Sequence, residues 1–215
     1  KIYLKGKKNM VHALNNINLK IDDRETVAII GESGAGKSTL LHIMSCIDNF
    51  DGEYYLDNID INKLSESKKS KLRSSKIGIV LQDFALIDDF TVFENVMTPL
   101  YFNKKIKDKK GSVMRALKKT GIVSLKAKKV SQLSGGQKQR VAISRALVTS
   151  PEYIFADEPT GSLDSKTSEE IVKMLFDLNR NGITIVIVTH NLEIANQCHH
   201  IIEIKDGNII KDICS

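Results

Sequence analysis

The sequence predicts an α/β fold: a mostly parallel β-sheet covered on both faces by helices. Three observations carry this. Short, unbroken apolar runs rich in β-branched residues recur at Thr26–Ile30, Ile77–Leu81, Tyr153–Ala156 and Thr184–Val188, and stretches of helical patterning separate them. The first run ends in a glycine-rich turn that opens a helix, "GESGAGKST". Between the second and third runs, the residues from Gln82 to Pro151 contain no convincing strand.

Thr26–Ile30 ("TVAII") reads as a buried strand feeding a turn, and a helix is expected from Lys37 to about Ile47. Lys63–Lys76 holds six basic residues and one acidic, the pattern of a solvated helical face. Ile77–Leu81 is the second strand. In the long insert, Thr91–Glu94 ("TVFE") matches a capping box, so a helix is expected to start there. Helical patterning returns at Gly111–Thr120 and from Gly136 onward. Tyr153–Ala156 is the third strand, Asp164–Asn181 a helix closed by Asn181–Gly182, and Thr184–Val188 the fourth strand. Ile201–Ile204 and Asn208–Ile210 read as a hairpin turned at Asp206–Gly207. The expected organisation is a core of 1–82 and 151–215 carrying a helical subdomain over about 83–150.

The chain has 215 residues, 41% of them hydrophobic, enough for a real core. No apolar run approaches the ~18 residues needed to cross a bilayer. The sequence opens on Lys1 rather than Met, which predicts residues missing before it. Three cysteines without close spacing fit free thiols in a reducing compartment, and the lack of a C-x-x-C pair argues against a zinc site. The net charge is +6, but it is uneven: residues 104–129 carry eleven basic groups and one acidic, and those from Pro151 onward carry eleven acidic and five basic. The basic middle suits a solvated face or a surface near anionic lipid head groups. Nucleic acid is disfavoured, because no aromatics interleave the basic residues.

Gly31, Gly36, Lys37 and Ser38 fit G-x-x-x-x-G-K-[ST] between a strand and a helix. The glycines let backbone N–H groups face phosphates, Lys37 adds a point charge, and Ser38 offers a hydroxyl to Mg²⁺. Asp157, after an apolar strand, lands at the carboxyl edge of a parallel sheet, where ligands bind. There it suits Mg²⁺, and the next residue, Glu158, suits a general base. Gln82 and His190 follow two other strands. Each is an ordinary strand-end residue alone; together the four strand ends point to one site. Gln82 suits Mg²⁺ or the attacking water, and His190 the γ-phosphate or Glu158. A second glycine pair stands at "QLSGGQKQRVAISRAL" (132–147), where a helix begins.

The order Gly31–Thr39, Gln82, "LSGGQ" (Leu133–Gln137), "IFADEP" (Ile154–Pro159), "SLD" (Ser162–Asp164) and His190 resembles the nucleotide-binding subunit of ATP-binding cassette (ABC) transporters over essentially the whole chain. The resemblance implies a P-loop NTPase core with an N-terminal antiparallel β region and an inserted helical subdomain. It implies Mg²⁺-dependent ATP hydrolysis, with ATP held by Tyr3 (stacking on adenine), Gly31, Ser33, Gly34, Ala35, Gly36, Lys37, Ser38 and Thr39. Metal ligands would be Ser38, Gln82 and Asp157; catalytic residues Glu158, His190 and Gln82. Two cassettes would face head to tail, so that Ser134, Gly135, Gly136 and Gln137 cap the nucleotide held by a second, identical subunit, with Asp164 at the same interface. The resemblance thus implies a reason for two phosphate-facing helix starts in one chain: each would serve half of a shared site.

"QDFALIDDFTVFENVMTPL" and "ADEPTGSLDSKT" look most like the subunits of macrolide-export, lipoprotein-release and antimicrobial-peptide-resistance systems. "NFDG" (49–52) lacks the proline common there, and "KAKKVSQ" lacks the usual acidic start. The resemblance implies a separate transmembrane permease, a peripheral position on the cytoplasmic side of the cell membrane, export of a peptide, antibiotic or lipid-type cargo, and no nucleic-acid partner. The alternative is a non-transport ABC ATPase that relays ATP turnover to a membrane protein controlling cell-wall hydrolases.

Overall fold

A computed structural model of the chain describes residues 1–3 and 11–214. It opens with β1 (Ile2–Tyr3) and β2 (Val11–His12), paired antiparallel, as the resemblance implies for the N-terminal region. β3 (Thr26–Ile30) runs into α1 (Lys37–Met44). The helix stops three residues before the expected Ile47, and side chains tie down the turn that leaves it. Tyr54 Oη donates to Met44 O at 2.8 Å, Arg73 Nη1 donates to Cys46 O at 2.6 Å, and Cys46 turns into the left-handed region at φ 58°.

Next comes a hairpin, β4 (Tyr55–Leu56) with β5 (Ile59–Asp60), turned at Asp57–Asn58, both with positive φ. Asp and Asn tolerate that conformation best after glycine. α2 (Glu66–Lys76) carries the first basic stretch. It is not uniformly solvated, since Lys69 is buried and its Nζ donates to Asn49 Oδ1 at 2.8 Å.

β6 (Ile77–Val80) is followed by α3 (Val92–Phe102), α4 (Lys109–Lys119) and α5 (Gly135–Leu147). α3 begins in the expected capping box of Thr91 and Glu94. Between β6 and β7 the described residues form one isolated bridge, Thr91 to Lys129, and no strand. Hydrogen bonds from Val92 N to Lys128 O and from Val130 N to Phe90 O tie the stretch before "LSGGQ" to the start of α3. β7 (Tyr153–Asp157), α6 (Ser165–Arg180), β8 (Thr184–Val188), the single turn α7 (Leu192–Ala195), β9 (His200–Lys205) and β10 (Asn208–Cys214) complete the chain.

The main sheet has the order β10-β9-β3-β8-β7-β6. All neighbours are parallel except β10, which returns antiparallel along β9 through Asp206–Gly207. The period-2 geometry of a strand explains the unbroken apolar runs. Val27, Ile29, Phe155, Val186 and Val188 face one layer with Leu40 and Leu41 of α1. Ile154, Ala156, Ile185 and Ile187 face the other with Val96, Leu117, Val141 and Leu175 of α3 to α6. Both faces are covered, so no polar alternation is needed.

Candidate nucleotide site

β3, β8, β7 and β6 are adjacent and parallel, so the residues past their carboxyl ends emerge side by side: Gly31, His190, Asp157–Glu158 and Gln82. Register fixes the rows, with Val188 opposite Ile29 on one side and Asp157 on the other.

In the glycine-rich loop, Gly31, Gly34 and Gly36 have φ of 144°, 80° and 107°. A Cβ on Gly31 would lie 2.1 Å from Ile204 O and one on Gly36 2.4 Å from Ala13 O, so backbone proximity as well as φ demands glycine. α1 starts at Gly36 with no side-chain cap and no acid in its first turn. Its leading N–H groups are therefore offered outward, with the positive end of the helix dipole behind them. Lys37 Nζ folds back to donate to Gly31 O at 2.8 Å and Glu32 O at 2.7 Å. Ser33 and Ser38 are exposed, Thr39 half-buried and Ala35 buried. Tyr3 donates its hydroxyl to Asp48 Oδ2 at 2.6 Å, and the Lys1 ammonium stands 4.7 Å from its ring centroid. Burial, then the Asp48 carboxylate, raise its pKa above the usual phenol value.

Asp157 closes β7 and is 8% exposed, with Oδ1 buried and without a hydrogen-bond partner. A buried, unpartnered carboxylate oxygen is costly unless something positive meets it. α1, which packs against β7, carries the exposed Ser38 hydroxyl, so the residue types at this edge include hard oxygen donors of the kind Mg²⁺ takes. Glu158 sits in the left-handed region at φ 45°, its N–H donating to Val188 O at 2.9 Å. A non-glycine residue held there is strained, of order 1–3 kcal/mol, which persists only where surroundings impose it. Its Oε2 lies 3.0 Å from His190 Nδ1, close but off the alignment of a good hydrogen bond; the Glu158 side chain is largely buried and His190 is exposed. Gln82 is exposed, and a Cβ on Gly161 would lie 4.0 Å from Gln82 Nε2 and 3.6 Å from Glu158 Cβ, which brings these side chains to one turn.

The second glycine pair opens α5. Ser134 is its N-cap: Ser134 Oγ accepts from Gln137 N at 3.4 Å, and Gln137 Oε1 accepts from Ser134 N at 3.1 Å. Ser134 and Gly135 are exposed. Gly136 is where α5 meets α6, since a Cβ there would lie 2.4 Å from Thr167 Cγ2. Thr167 is pinned in turn by Asp164, the N-cap of α6, which accepts from Thr167 N at 2.9 Å and Thr167 Oγ1 at 2.7 Å. Those two bonds, the hydroxyl's first, hold the Asp164 carboxyl below the usual carboxylate range. The signature stretch and Asp164 are therefore neighbours within one chain.

Two residues that sequence reasoning missed hold the loop after Gln82. Phe84 and Ala85 both have positive φ, and Arg145 of α5 donates to both carbonyls, from Nη2 to Phe84 O at 2.7 Å. Asn95 of α3 accepts from Ile87 N at 2.8 Å and donates to Ile87 O at 3.0 Å. The available signal was a polar residue in the apolar periodicity of each helix, four residues after Val141 and three after Val92.

A family model described as "ABC transporter" matches residues 14–161. A macrolide export ATP-binding/permease protein MacB of Mannheimia succiniciproducens is 45% identical over 206 residues, 95% of this chain. The chain spans 32% of that protein's length. The uncharacterized ABC transporter ATP-binding protein MJ0796 of Methanocaldococcus jannaschii is 44% identical over 219 residues, covering 99% of this chain and 93% of its own length. A solved dimeric structure of that cassette, in a post-hydrolysis state bound to ADP and Pi, superposes with a TM-score of 0.91 at 42% identity, covering 100% of this chain and 95% of that one.

Proposed function

The chain belongs to the ABC transporter family, and from that premise we propose that it is the ATP-hydrolysing subunit of an export system, working through a separate membrane protein on peptide, antibiotic or lipid-type cargo. The observation that carries the reading is the convergence of a glycine cradle, Lys37, a strained Glu158 and an unpartnered Asp157 oxygen at one sheet edge. It is supported by the likeness to MacB, named as an export protein, and to a dimeric cassette bound to ADP and Pi. Among the described residues no helix is long and apolar enough to cross a membrane. The membrane partner is read as another protein or domain, with this subunit peripheral on its cytoplasmic side.

In this reading the N–H groups of residues 33–39 and Lys37 bind the phosphates of ATP. Lys37 needs only to exchange two carbonyl acceptors for phosphate oxygens. Tyr3 lies against adenine once Lys1 moves from its ring. Asp157, Ser38 and Gln82 would hold Mg²⁺, which would supply positive charge against the phosphates. Glu158 accepts a proton from the attacking water, and His190, 3.0 Å from its Oε2, fixes that carboxylate. Ser134, Gly135, Gly136 and Gln137 of a second copy close the site, with Asp164 beside them. Closure is then favoured by differential affinity for ATP between open and closed pairs. The chain is read as a single cassette, core 1–82 and 151–215 with a helical subdomain over about 83–150. The test is Mg²⁺-dependent ATP hydrolysis by the purified chain, stimulated when its membrane partner is added. Hydrolysis that persists undiminished after Lys37→Ala would overturn the assignment.

A further inference from the structure

Outside the nucleotide site, one cluster leaves a buried lone pair without an explanation. His200, the first residue of β9, is 2% exposed. Its Nε2 meets Asp212 Oδ1 at 2.5 Å, which places the ring proton there if the imidazole is neutral. Nδ1 is then an acceptor. It is buried without a hydrogen-bond partner and faces Glu25 Oε1 at 3.3 Å. Two acceptors at that distance repel unless a proton or a metal ion stands between them. The other Glu25 oxygen is already oriented, since Oε2 accepts from Asp22 N at 2.9 Å. The third member is Cys214, cross-strand partner of His200 in the β9–β10 pair. Its Sγ, a Glu25 oxygen and a His200 nitrogen all lie within 4.8 Å of one another.

We propose that Glu25, His200 and Cys214 form a site for a borderline-soft divalent ion of the zinc class, clipping edge strand β10 to the start of β3. Nitrogen, oxygen and sulfur are the ligand set such ions take. Two ligands each at about 2.0–2.1 Å from a tetrahedral ion are about 3.3 Å apart, which matches the Nδ1–Oε1 separation. Asp212 on Nε2 and the Asp22 amide on Oε2 are outer contacts of the kind that orient metal ligands. Glu25, Asp212 and Asp22, the last paired with Lys20 Nζ at 2.8 Å, lend the thiol's surroundings negative charge that a cation offsets. Cys214 is exposed, leaving room for a water in a fourth position. The ligands are far apart in sequence and meet only through strand register, so the missing C-x-x-C does not bear on this site. A hard ion such as Mg²⁺ has no use for the sulfur, so the cluster is distinct from the Asp157 region.

Co²⁺ titrated into the chelator-treated, reduced full chain under saturating Mg²⁺ tests this. The expected result is one equivalent with a near-ultraviolet thiolate-to-cobalt band and tetrahedral visible bands, displaced by Zn²⁺. Cys214→Ser, at an exposed edge position, should abolish the near-ultraviolet band. Glu25→Gln should weaken Zn²⁺ binding at least ~10-fold, and Asp212→Asn by about 10–100-fold through the ring. Zn²⁺ should raise the melting temperature of the parent chain and not that of Cys214→Ser. Absence of the thiolate band in the parent, or its persistence in Cys214→Ser, would overturn the site. So would unchanged Zn²⁺ affinity in Glu25→Gln.

Discussion

Arg145 Nη2 donates to Phe84 O over 2.7 Å, so the helix that begins at Ser134 holds the backbone two residues beyond Gln82. The same guanidinium reaches Ala85 O. Phe84 and Ala85 are both left-handed, at φ 61° and 44°, and neither is glycine. Burial lowers the Arg145 pKa, yet the group stays charged, as any arginine does near neutral pH. Removing it by Arg145→Ala leaves two carbonyls without a donor and frees a strained turn. Hydrogen bonds to charged groups contribute about 1.5–3 kcal/mol. The variant should melt lower by roughly 3–12 °C, at about 2–4 °C per kcal/mol for a chain of this size. Melting within a degree of the parent would show that the turn holds itself.

Glu158→Gln keeps the shape of the side chain and removes its basicity. ATP binding should survive while turnover falls at least ~10²-fold, the range for a lost general base. Single-turnover hydrolysis with nucleotide binding measured in parallel separates the two. Normal turnover in the variant would remove Glu158 from the chemistry.

Lys37 is held at rest by Gly31 O and Glu32 O. Lys37→Ala should therefore weaken triphosphate binding far more than it changes stability, because the loop geometry is set by Gly31 and Gly36 against Ile204 O and Ala13 O. Equal ATP affinity in parent and variant would contradict the cradle. Gly31→Ala should do the reverse and damage the fold, since its Cβ has no room.

Three helix caps give the fold an acid-sensitive contribution. Glu94, Asp108 and Asp164 each accept at least one backbone N–H at a helix start, and each has a pKa below its ordinary value. A carboxyl depressed in the folded state stabilises above the unfolded pKa of about 4 and loses that contribution as pH falls through the folded value. Stability should drop below about pH 4, and Asp164→Asn should flatten part of that slope while keeping a cap. An unchanged acid slope would show that Asp164 contributes nothing through its charge.

The legible part of this molecule was whatever local chemistry fixes. Thr26–Ile30 and Thr184–Val188 are strands as read, because central parallel strands are apolar throughout. The Thr91–Glu94 box was visible as residue types at fixed spacing. Strand-end placement of Gln82, Asp157 and His190 followed once the sheet was parallel. What escaped depends on distance along the chain or on elements too short to show a period. β4 and β5 are two residues each. Arg145 meets Phe84 across sixty-one positions. The packing need for Gly136 exists only once α5 lies on α6 at Thr167. A motif gives a glycine's presence; the neighbour that requires it comes from the fold.

The central claim is that each triphosphate is embraced by groups from two copies of the chain. A Ser134→Arg chain and a Lys37→Ala chain, each inactive alone, test it most directly when mixed in varied ratio and assayed for ATP hydrolysis. A head-to-tail pair of the two places both lesions in one site and leaves the other intact. At equal amounts, about a quarter of the parental sites should return. Activity that never exceeds the sum of the separate chains, at any ratio, with mixed pairs demonstrably formed, would contradict a shared site.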